Sequence, residues 1–332
     1  MAESSLSLGY ESLCDAIGYE AGFGHDSLLL GVWQSWSSDQ QSEVARLLNI
    51  GVRQVYYPPP INGQVHTWSF MRPIAVLTLW SSATGTMSVS TVTITDSTNS
   101  PFLPTMIGQT LVADTSENEY TIVGYTSSSV VTVSADATAD DGDTFTITAD
   151  GAYRLPDDFG GLVGDLTYNE TTPHTPMVHV GEGHIRQLRQ QEGLSGRPTM
   201  VAIRPVAFDP TLGQRYNLLP YPSVDQEYSV LYRYNRIPNE LSTTNTQPYG
   251  GAQHAETFRA SCLAAVEQEL SGERGVRWLY FMERLAMSIE LDRQIGSPAL
   301  LGRMFDPQSS DEPVAWPRST SFSYNGVVLD GT

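Results

Sequence analysis

The chain has 332 residues, of which 40% are hydrophobic, so it is long enough for one large or two modest folded units with real cores. Its formal charge at pH 7 is −19 and all 18 of its basic residues are arginine, which makes it a poor candidate for gripping the phosphates of nucleic acid. No segment has the pattern of a signal peptide and no apolar run is long enough to cross a bilayer, so we expect neither classical export nor membrane insertion.

Two helices are predicted within the first sixty residues. The first has apolar residues at helical spacing, namely Tyr10, Leu13, Cys14 and Ile17. The second begins at a capping box, in which Ser37 or Ser38 is followed three residues later by Gln40 or Gln41, and it must end at the prolines of 58–60. Its apolar stripe comprises Val44, Leu47, Leu48, Val52 and Val55.

Strands are predicted beyond these helices. The apolar period changes to two at His66, Trp68 and Phe70, and residues 74–80 form a β-branched apolar run. Residues 82–151 are then rich in Thr, Ser and Val, with short strands predicted at 88–95, 110–113, 120–125, 130–134 and 144–148. This regular spacing suggests a small barrel or sandwich inserted into the larger fold, which we call the β-insert.

A second group of strands is predicted after the β-insert. The short ones lie near 164–168, 177–180 and 199–204. A conspicuous pair at 214–219 and 227–234 is joined by Pro220, Tyr221, Pro222 and Ser223, which have the composition of a turn. We therefore predict an antiparallel hairpin with these residues at its tip.

The longest helical region is predicted at residues 252–295, with a break permitted at Ser271 and Gly272. Apolar residues lie on more than one side of its second half, so partner subunits are expected to cover part of it. Cys14 and Cys262 are the only cysteines and fall on helical segments. Two cysteines are too few for a disulfide framework, so we expect buried free thiols in a protein that folds in a reducing cytoplasm.

The last segment, residues 300–332, has prolines and no helical period, yet it is not simply polar. Disordered tails are normally depleted in large apolar side chains, whereas this one contains Phe305, Trp316, Phe322, Tyr324, Val328 and Leu329. We expect these six residues to form an arm that docks on a partner protein or on a neighbouring subunit. Asn325 and Gly326 predict a hairpin turn within the arm.

No catalytic, cofactor or metal site is predicted. His174, His179 and His184 recur at intervals of five, which fits neither the spacing of ligands on a helix nor that on a strand. The acidic turn at 140–143 has no ordered ligand series ending in a glutamate, as a calcium loop requires. Asp157 and Asp158 are adjacent on an extended segment and point to opposite faces, so they cannot flank one bond. The chain is therefore expected not to be an enzyme.

Several short motifs occur in a suggestive order along most of the chain. They are GVRQVYYP at 51–58, WSFMRP at 68–73, the β-insert from MIGQ at 106 to FTIT at 145, LPDDF at 155–159, and LPYP at 219–222 followed by the strand to 234 and the long helices. In this order they resemble the head-to-tail connector adaptors of tailed bacteriophages, the family that includes gatekeeper and tubular tail proteins. The resemblance implies a helical bundle carrying a β-extension, assembled as a twelvefold ring under the portal.

The expected fold class is α+β, a helical-bundle core with a β-hairpin or sheet extension, an inserted all-β domain and an extended C-terminal arm. The expected segments are 1–81 and 152–299 for the core, 82–151 for the β-insert and 300–332 for the arm. The resemblance implies three kinds of partner: the portal protein, a tail or nozzle protein that the tip at 220–222 would face, and further copies of the chain. Viral DNA would pass through the acidic lumen without specific binding. The protein would reside in the virion neck after assembly in the bacterial cytoplasm, with no cofactor and no membrane.

Other functions remain open at this point. Within the same neck, the chain could be a stopper or a tail-nozzle subunit. A glycan-binding protein of a receptor-recognition apparatus is suggested by the Trp and Tyr residues and the Thr- and Ser-rich strands, although the C-terminal helices count against it. A hydrolase would require a pocket with two facing carboxylates.

Overall fold

A computed structural model describes residues 6–23, 33–61, 63–169, 174–208, 210, 213–296, 321–324 and 327–330. The helices of this part of the chain are α1 Tyr10–Glu20, α2 Ser38–Tyr56, α3 Glu182–Gln191, α4 Ala255–Ser271 and α5 Val276–Gly296. Its strands are β1 Ile74–Leu79, β2 Ser82–Thr86, β3 Ser88–Ser90, β4 Thr93–Thr95, β5 Thr110–Ala113, β6 Glu119–Ser127, β7 Val130–Val133, β8 Thr144–Thr148, β9 Tyr153–Arg154, β10 Phe159–Tyr168, β11 Val178–His179, β12 Met200–Pro205, β13 Tyr216–Tyr221, β14 Tyr228–Arg236, β15 Ser321–Tyr324 and β16 Val327–Asp330.

The strands up to β14 form three sheets. One has the order β1-β14-β10 and is antiparallel, and a second has the order β11-β12-β13-β9, in which β11 and β12 run parallel. The third has the order β2-β8-β5-β6-β7-β4-β3. It is barrel-like and nearly closed, because its two edge strands, β2 and β3, are consecutive in the chain and separated only by Met87.

The expected helical-bundle core is wrong, because the largest core belongs to the sheets. Its buried side chains run from Leu77 on β1 through Phe145 in the β-insert to Tyr234 on β14. A half-buried strand contributes only every second side chain to a core, so its apolar signal in the sequence is weaker than that of a helical stripe. Many short strands together nevertheless build the larger cluster. The fold is strand-rich, and the helices form a second, smaller layer.

The helical layer consists of α1, α2, α4 and α5 around the second cluster of buried side chains. The predicted capping box is present, since Ser37 N donates to Gln40 Oε1 at 3.0 Å and Gln40 N donates to Ser37 Oγ at 3.4 Å. Helix α2 meets α4 at Gly51, where an added Cβ would lie 2.6 Å from the Cα of Cys262. Only glycine permits this close approach of the two helices.

Two further predictions about the helices are confirmed. The break between α4 and α5 lies at Gly272, which adopts the left-handed conformation with φ +72°. Cys14 and Cys262 are free and buried, and burial raises the pKa of each thiol to about 12. At neutral pH both thiols are therefore protonated and shielded from reagents.

The predicted hairpin of strands 214–219 and 227–234 is wrong. Strand β13 pairs with β12 and β9, whereas β14 pairs with β1 and β10, so the two strands belong to different sheets. Pro220 and Tyr221 are the last residues of β13, and Pro222 follows it. A turn composition is equally compatible with a connection that crosses from one sheet to the next, and the sequence alone could not distinguish the two.

The β-insert contains the whole seven-stranded sheet, from β2 to β8. Its strands follow the prediction except that β2 was missed and 88–95 is divided into β3 and β4, with Thr91 at φ +53° between them. Its buried side chains continue into the core of the other sheets, and Tyr153 Oη donates to the carbonyl of Trp80 at 2.5 Å where the chain leaves and enters the insert. The boundary at 82–151 stays a prediction.

Two local predictions were also wrong. Residues 66–68 do not form a strand and lead into a 3₁₀ turn, Ser69–Met71. Helix α3 was not predicted, because Ile185 is the only fully buried apolar residue on the helix. One buried residue is too weak a stripe to indicate a helix in the sequence.

Candidate interaction surfaces and buried polar site

The predicted docking arm is described only in part. Phe305 and Trp316 lie outside the described residues. Strands β15 and β16 form the antiparallel pair that the Asn325-Gly326 turn predicted, and the register places Phe322 opposite Leu329, Ser323 opposite Val328 and Tyr324 opposite Val327. The docking role of the arm stays a prediction.

The predicted tail-facing residues occupy a different environment from the expected tip. Pro220 and Tyr221 are buried, and Pro222 is half-buried. The ring of Tyr221 packs in a small core between α3 and the β12–β13 pair, and its hydroxyl donates to the carbonyl of Glu192 at 3.4 Å. Residues buried within their own subunit cannot form the end of an exposed hairpin. Of the three, Pro222 alone retains appreciable exposure.

Helix α5 is apolar on two sides. Its inner side buries Phe281, Leu285 and Ile289 in the helical layer. Its outer side exposes Val276 at 77%, Leu279 at 68% and Met287 at 58%, with Ala286 and Leu291 exposed beside them. These positions lie on one side of the helix, which we call the outer line, and the exposed Glu283 and Glu290 interrupt them there. Its exposed apolar side chains form a surface of the kind that subunit contacts cover.

A groove of about 790 Å³ lies between α2 and the segment 237–242. Asn49 anchors that segment, because its side chain accepts from Leu241 N at 2.9 Å and donates to the carbonyl of Leu241 at 3.3 Å. Tyr57 lines the groove and is exposed. Arg53 and Glu240 line it as well, so the groove offers one exposed aromatic ring, beside the buried Tyr10 and Tyr56, with charged groups of both signs.

A buried carboxylate on α5 joins the helix to the loop before β1. Asp292, which is 3% exposed, accepts a bond from Ser69 N at 3.0 Å and one from Ser69 Oγ at 2.5 Å. His66 Nε2 lies 2.8 Å from the same carboxylate. Asp292 therefore fixes both ends of the segment 66–69 to the last turns of α5.

This Ser, His and Asp set does not have the arrangement of a nucleophilic triad. In a triad the serine hydroxyl bonds to the histidine, and the carboxylate orients the histidine from its other side. Here Ser69 and His66 both bond to Asp292, and no bond between the two is found in the described part of the chain. The arrangement can orient a loop, but it cannot activate the hydroxyl of Ser69 through His66.

A second histidine lies beside this carboxylate in the same layer. The ring of His254 packs 5.2 Å from Trp68 and 5.3 Å from Phe70, between centroids. Burial lowers the pKa of His254, the negative charge of Asp292 opposes that shift, and His66 adds to it. His254 is therefore neutral at pH 7.

The sequence missed this polar cluster, although one signal was present. Asp292 lies near the C-terminal end of α5, where a negative charge is unfavourable to the helix dipole. A carboxylate at such a position in an apolar helix indicates a specific partner elsewhere in the chain. The partners, His66 and Ser69, are more than 220 residues away, so their identity could not be predicted from spacing.

The other residues considered for chemistry are not brought together. His174 packs on the ring of Tyr168, His179 lies on β11 and His184 lies on α3. Asp157 forms an ion pair with Arg215 at 2.7 Å, whereas Asp158 pairs with Arg236 at 2.7 Å. Within the described residues, no group of three His, Cys, Asp or Glu side chains could hold a metal ion.

Comparison with family models and with curated proteins identifies no relative. The sequence matches no model of a protein family, and a search of curated proteins finds none that matches it. In the described part of the chain, no helix combines the length and the apolar character that a membrane crossing requires.

Proposed function

We propose that the chain is a structural subunit of a tailed-bacteriophage particle, a head-to-tail adaptor that assembles into a ring between the portal and the tail. The resemblance of its ordered motifs to connector adaptors supports this assignment. The observation that carries the proposal is the apolar outer line of α5 at Val276, Leu279 and Met287. A helix that buries one apolar side and exposes another is suited to a contact with a second subunit.

A ring follows from the kind of contact. A surface that meets a different surface of the next copy makes a heterologous interface, and repetition of that interface either closes into a ring or grows into a filament. An adaptor between a portal and a tail must close. Each copy has a formal charge of −19, so a ring of such copies is strongly acidic, and an acidic lumen would repel DNA in transit.

The proposal is tested on the full chain by negative-stain class averages and mass photometry, with and without the portal protein of the particle. We expect closed rings with one adaptor per portal subunit. A stable monomer or a two-fold dimer in the particle neck would contradict the proposal. Finding the ring at a different level of the neck would instead favour the related stopper or nozzle function.

A matched pair of variants tests the surface on α5. Leu279→Gln removes apolar area from the outer line, whereas Leu270→Gln makes the same change at a leucine of α4 that is 65% exposed and lies off that line. Burying an exposed leucine contributes about 1.5–3 kcal/mol to an interface. We expect the first variant to weaken ring assembly at least tenfold and the second to assemble like the wild type. Equal assembly of both variants would exclude this line as a subunit contact.

Glycan binding is the competing function from another class. The groove beside Tyr57 is large enough for a small sugar, yet one exposed ring gives little stacking surface. Glycan-array binding by the full chain that Tyr57→Ala abolishes would favour this alternative over the adaptor.

A further inference from the structure

The charges of the chain are strongly segregated. Residues 82–151, the β-insert, contain nine acidic residues and none of the 18 arginines. Nearly half of the net charge of −19 therefore belongs to about a fifth of the chain. Such a separation creates one surface that attracts cations and leaves every arginine elsewhere.

The acidic residues of the β-insert concentrate in two loops that touch each other. Asp114 and Glu117 lie in the β5–β6 loop, and residues 140–143 precede β8. Thr115 Oγ1 donates to Asp143 at 2.6 Å, and Asn118 Nδ2 donates to Asp140 at 3.1 Å. We call these two loops the acidic end.

Two carboxylates of the acidic end, Asp140 and Asp143, are held in the charged form at neutral pH. The hydrogen bond from Tyr120 lowers the pKa of Asp140, and the hydrogen bond from Thr115 lowers that of Asp143. Both effects favour the charged form. The hydrogen bonds from Thr115 and Tyr120 therefore fix the conformation of the loops and also stabilise the charged form of the two carboxylates.

The acidic end is remote from the rest of its own subunit. The chain enters and leaves the β-insert side by side, where Ala149 N donates to the carbonyl of Ser81 at 2.9 Å. Strands β2 and β8 run from this crossing to Thr86 and Thr144, and Asp114 N bonds to Thr144. Five residues of strand span roughly 17 Å. The acidic end lies at the far end of that span.

A cluster of arginines lies near the crossing, on the β12-β13-β9 sheet. Arg204 on β12 is opposite Asn217 on β13, and Asn217 is opposite Arg154 on β9, so the three residues form a row across one face. Arg215 lies near this row, because it and Arg154 both pair with Asp157. The distances to the Asp157 carboxylate are 2.7 Å from Arg215 and 3.7 Å from Arg154. We call Arg154, Arg189, Arg204 and Arg215 the arginine cluster.

The arginine cluster has more positive charge than its own subunit neutralises. Burial lowers the pKa of Arg154, and the positive charge of Arg215 lowers it further. Burial likewise lowers the pKa of Arg189, and the positive charge of Arg204 adds to that shift. The opposing charges are Asp150 and Asp157, and the side chain of Asp157 is 72% exposed.

Several donors of the cluster are without a partner. The Nε atoms of Arg154 and Arg189 are buried and have no hydrogen-bond partner among the described residues. Arg204 is exposed, and no ion pair of its guanidinium is found in that part of the chain. These buried Nε atoms lie out of a partner's reach, so the exposed guanidinium of Arg204, together with the uncompensated positive charge behind it, is what fits an anionic partner surface.

We infer that the acidic end of one copy docks on the arginine cluster of the next copy. This contact rests on the proposed ring, in which every copy meets its neighbour through the same pair of unlike surfaces. The same copy cannot supply both sides, since the two surfaces lie at opposite ends of the β-insert strands and no ion pair joins them in the described residues. The acidic end of a second copy supplies the negative charge that the arginine cluster lacks within its own subunit.

A disulfide test detects this contact whether or not a ring closes. The variant Ser116→Cys/Asn217→Cys places one thiol on each surface and keeps Glu117 and Arg204, and the two native thiols are buried. Under mild oxidation we expect a ladder of linked copies. The control Ser116→Cys/Arg233→Cys moves the second thiol to the exposed face of β14 and should give no ladder. A link within one copy, or equal ladders from both variants, would overturn the inference.

A charge-swap test asks whether attraction drives the contact. Arg204→Glu and Glu117→Arg should each weaken self-association about tenfold, as measured by sedimentation velocity. A mixture of the two variants should associate more strongly than either alone, because each supplies the surface that the other has reversed. The control Arg233→Glu carries the same change of net charge and should associate like the wild type. No recovery in the mixture would count against the contact.

The outcomes separate this inference from the adaptor proposal. A ladder without closed rings on imaging would preserve the contact and contradict the adaptor. Closed rings that give no ladder and do not respond to Arg204→Glu would preserve the adaptor and contradict the contact. Binding of duplex DNA that Arg204→Glu abolishes would show that the arginine cluster takes phosphate instead of the acidic end.

Discussion

Removal of the Asp292 carboxylate should destabilise the helical layer strongly. The side chain is 3% exposed and receives two bonds from Ser69 and a contact from His66. In Asp292→Ala all three groups lose their partner in a place that water does not readily reach. The 3₁₀ turn at Ser69–Met71 and the last turns of α5 would no longer be tied together.

The magnitude follows from the number of bonds and their burial. A hydrogen bond to a charged group contributes about 1.5–3 kcal/mol, and breaking a buried charged pair costs about 3–5 kcal/mol. We therefore expect Asp292→Ala to lower the free energy of unfolding by about 3–5 kcal/mol. Asp292→Asn keeps the volume and one acceptor, so its loss should be smaller.

The assay is urea unfolding followed by circular dichroism at the helical band. With a slope of about 3 kcal/mol per molar urea, the expected loss moves the midpoint down by about 1–2 M. Glu290→Ala, an exposed acidic residue on the same helix, is the matched control and should change stability by less than about 0.5 kcal/mol. If both variants unfold at the same urea concentration, Asp292 does not hold the layer together and the reasoning fails.

Three further predictions concern other parts of the molecule. Gly51→Ala should destabilise the protein by about 1–3 kcal/mol in the same urea assay, because its Cβ would lie 2.6 Å from the backbone of Cys262, whereas Gly183→Ala, which meets no atom within 4 Å, should not. Truncation at Pro298 should leave a soluble, folded subunit that fails to complete the neck, and infectious particles built with the truncated chain would contradict the docking arm. Because hydrogen bonds lower the pKa of Asp140 in the folded state, its contribution to stability is present above about pH 4 and is lost as pH falls further. Acid unfolding of Asp140→Asn should therefore be less steep than that of the wild type, and an unchanged acid transition would refute this.

The sequence predicted local structure well at positions where a single residue type determines the backbone conformation. The capping box at Ser37, the left-handed break at Gly272 and the buried stripe of α2 all agree with the structure. Each depends on a side chain and its close neighbours in the chain, and the required residue types are specific. Most short strands of the β-insert were found for the same reason.

Contacts between distant segments could not be predicted. Whether β13 pairs with β14 or with β12 depends on which sheet each strand joins, and the connecting residues 222–227 are compatible with either. The partner of Asp292 likewise lies more than 220 residues away. The helices have strong apolar stripes, and these led to the prediction of a helical bundle. The larger core is built from many short strands, each of which has only a weak apolar pattern in the sequence.

The contact of α2 with α4 also constrains how the protein is made. Helices α1 and α2 leave the ribosome early, but α4 begins at Ala255, about 200 residues after α2 ends. At roughly 5–20 residues per second, translation takes on the order of 10–40 s to supply the missing helix. The β-insert, whose strands are close in sequence, emerges complete during that interval. The side of α2 that packs on α4 thus stays exposed while the middle of the chain is synthesised, so we expect the nascent chain to bind chaperones that shield apolar surface.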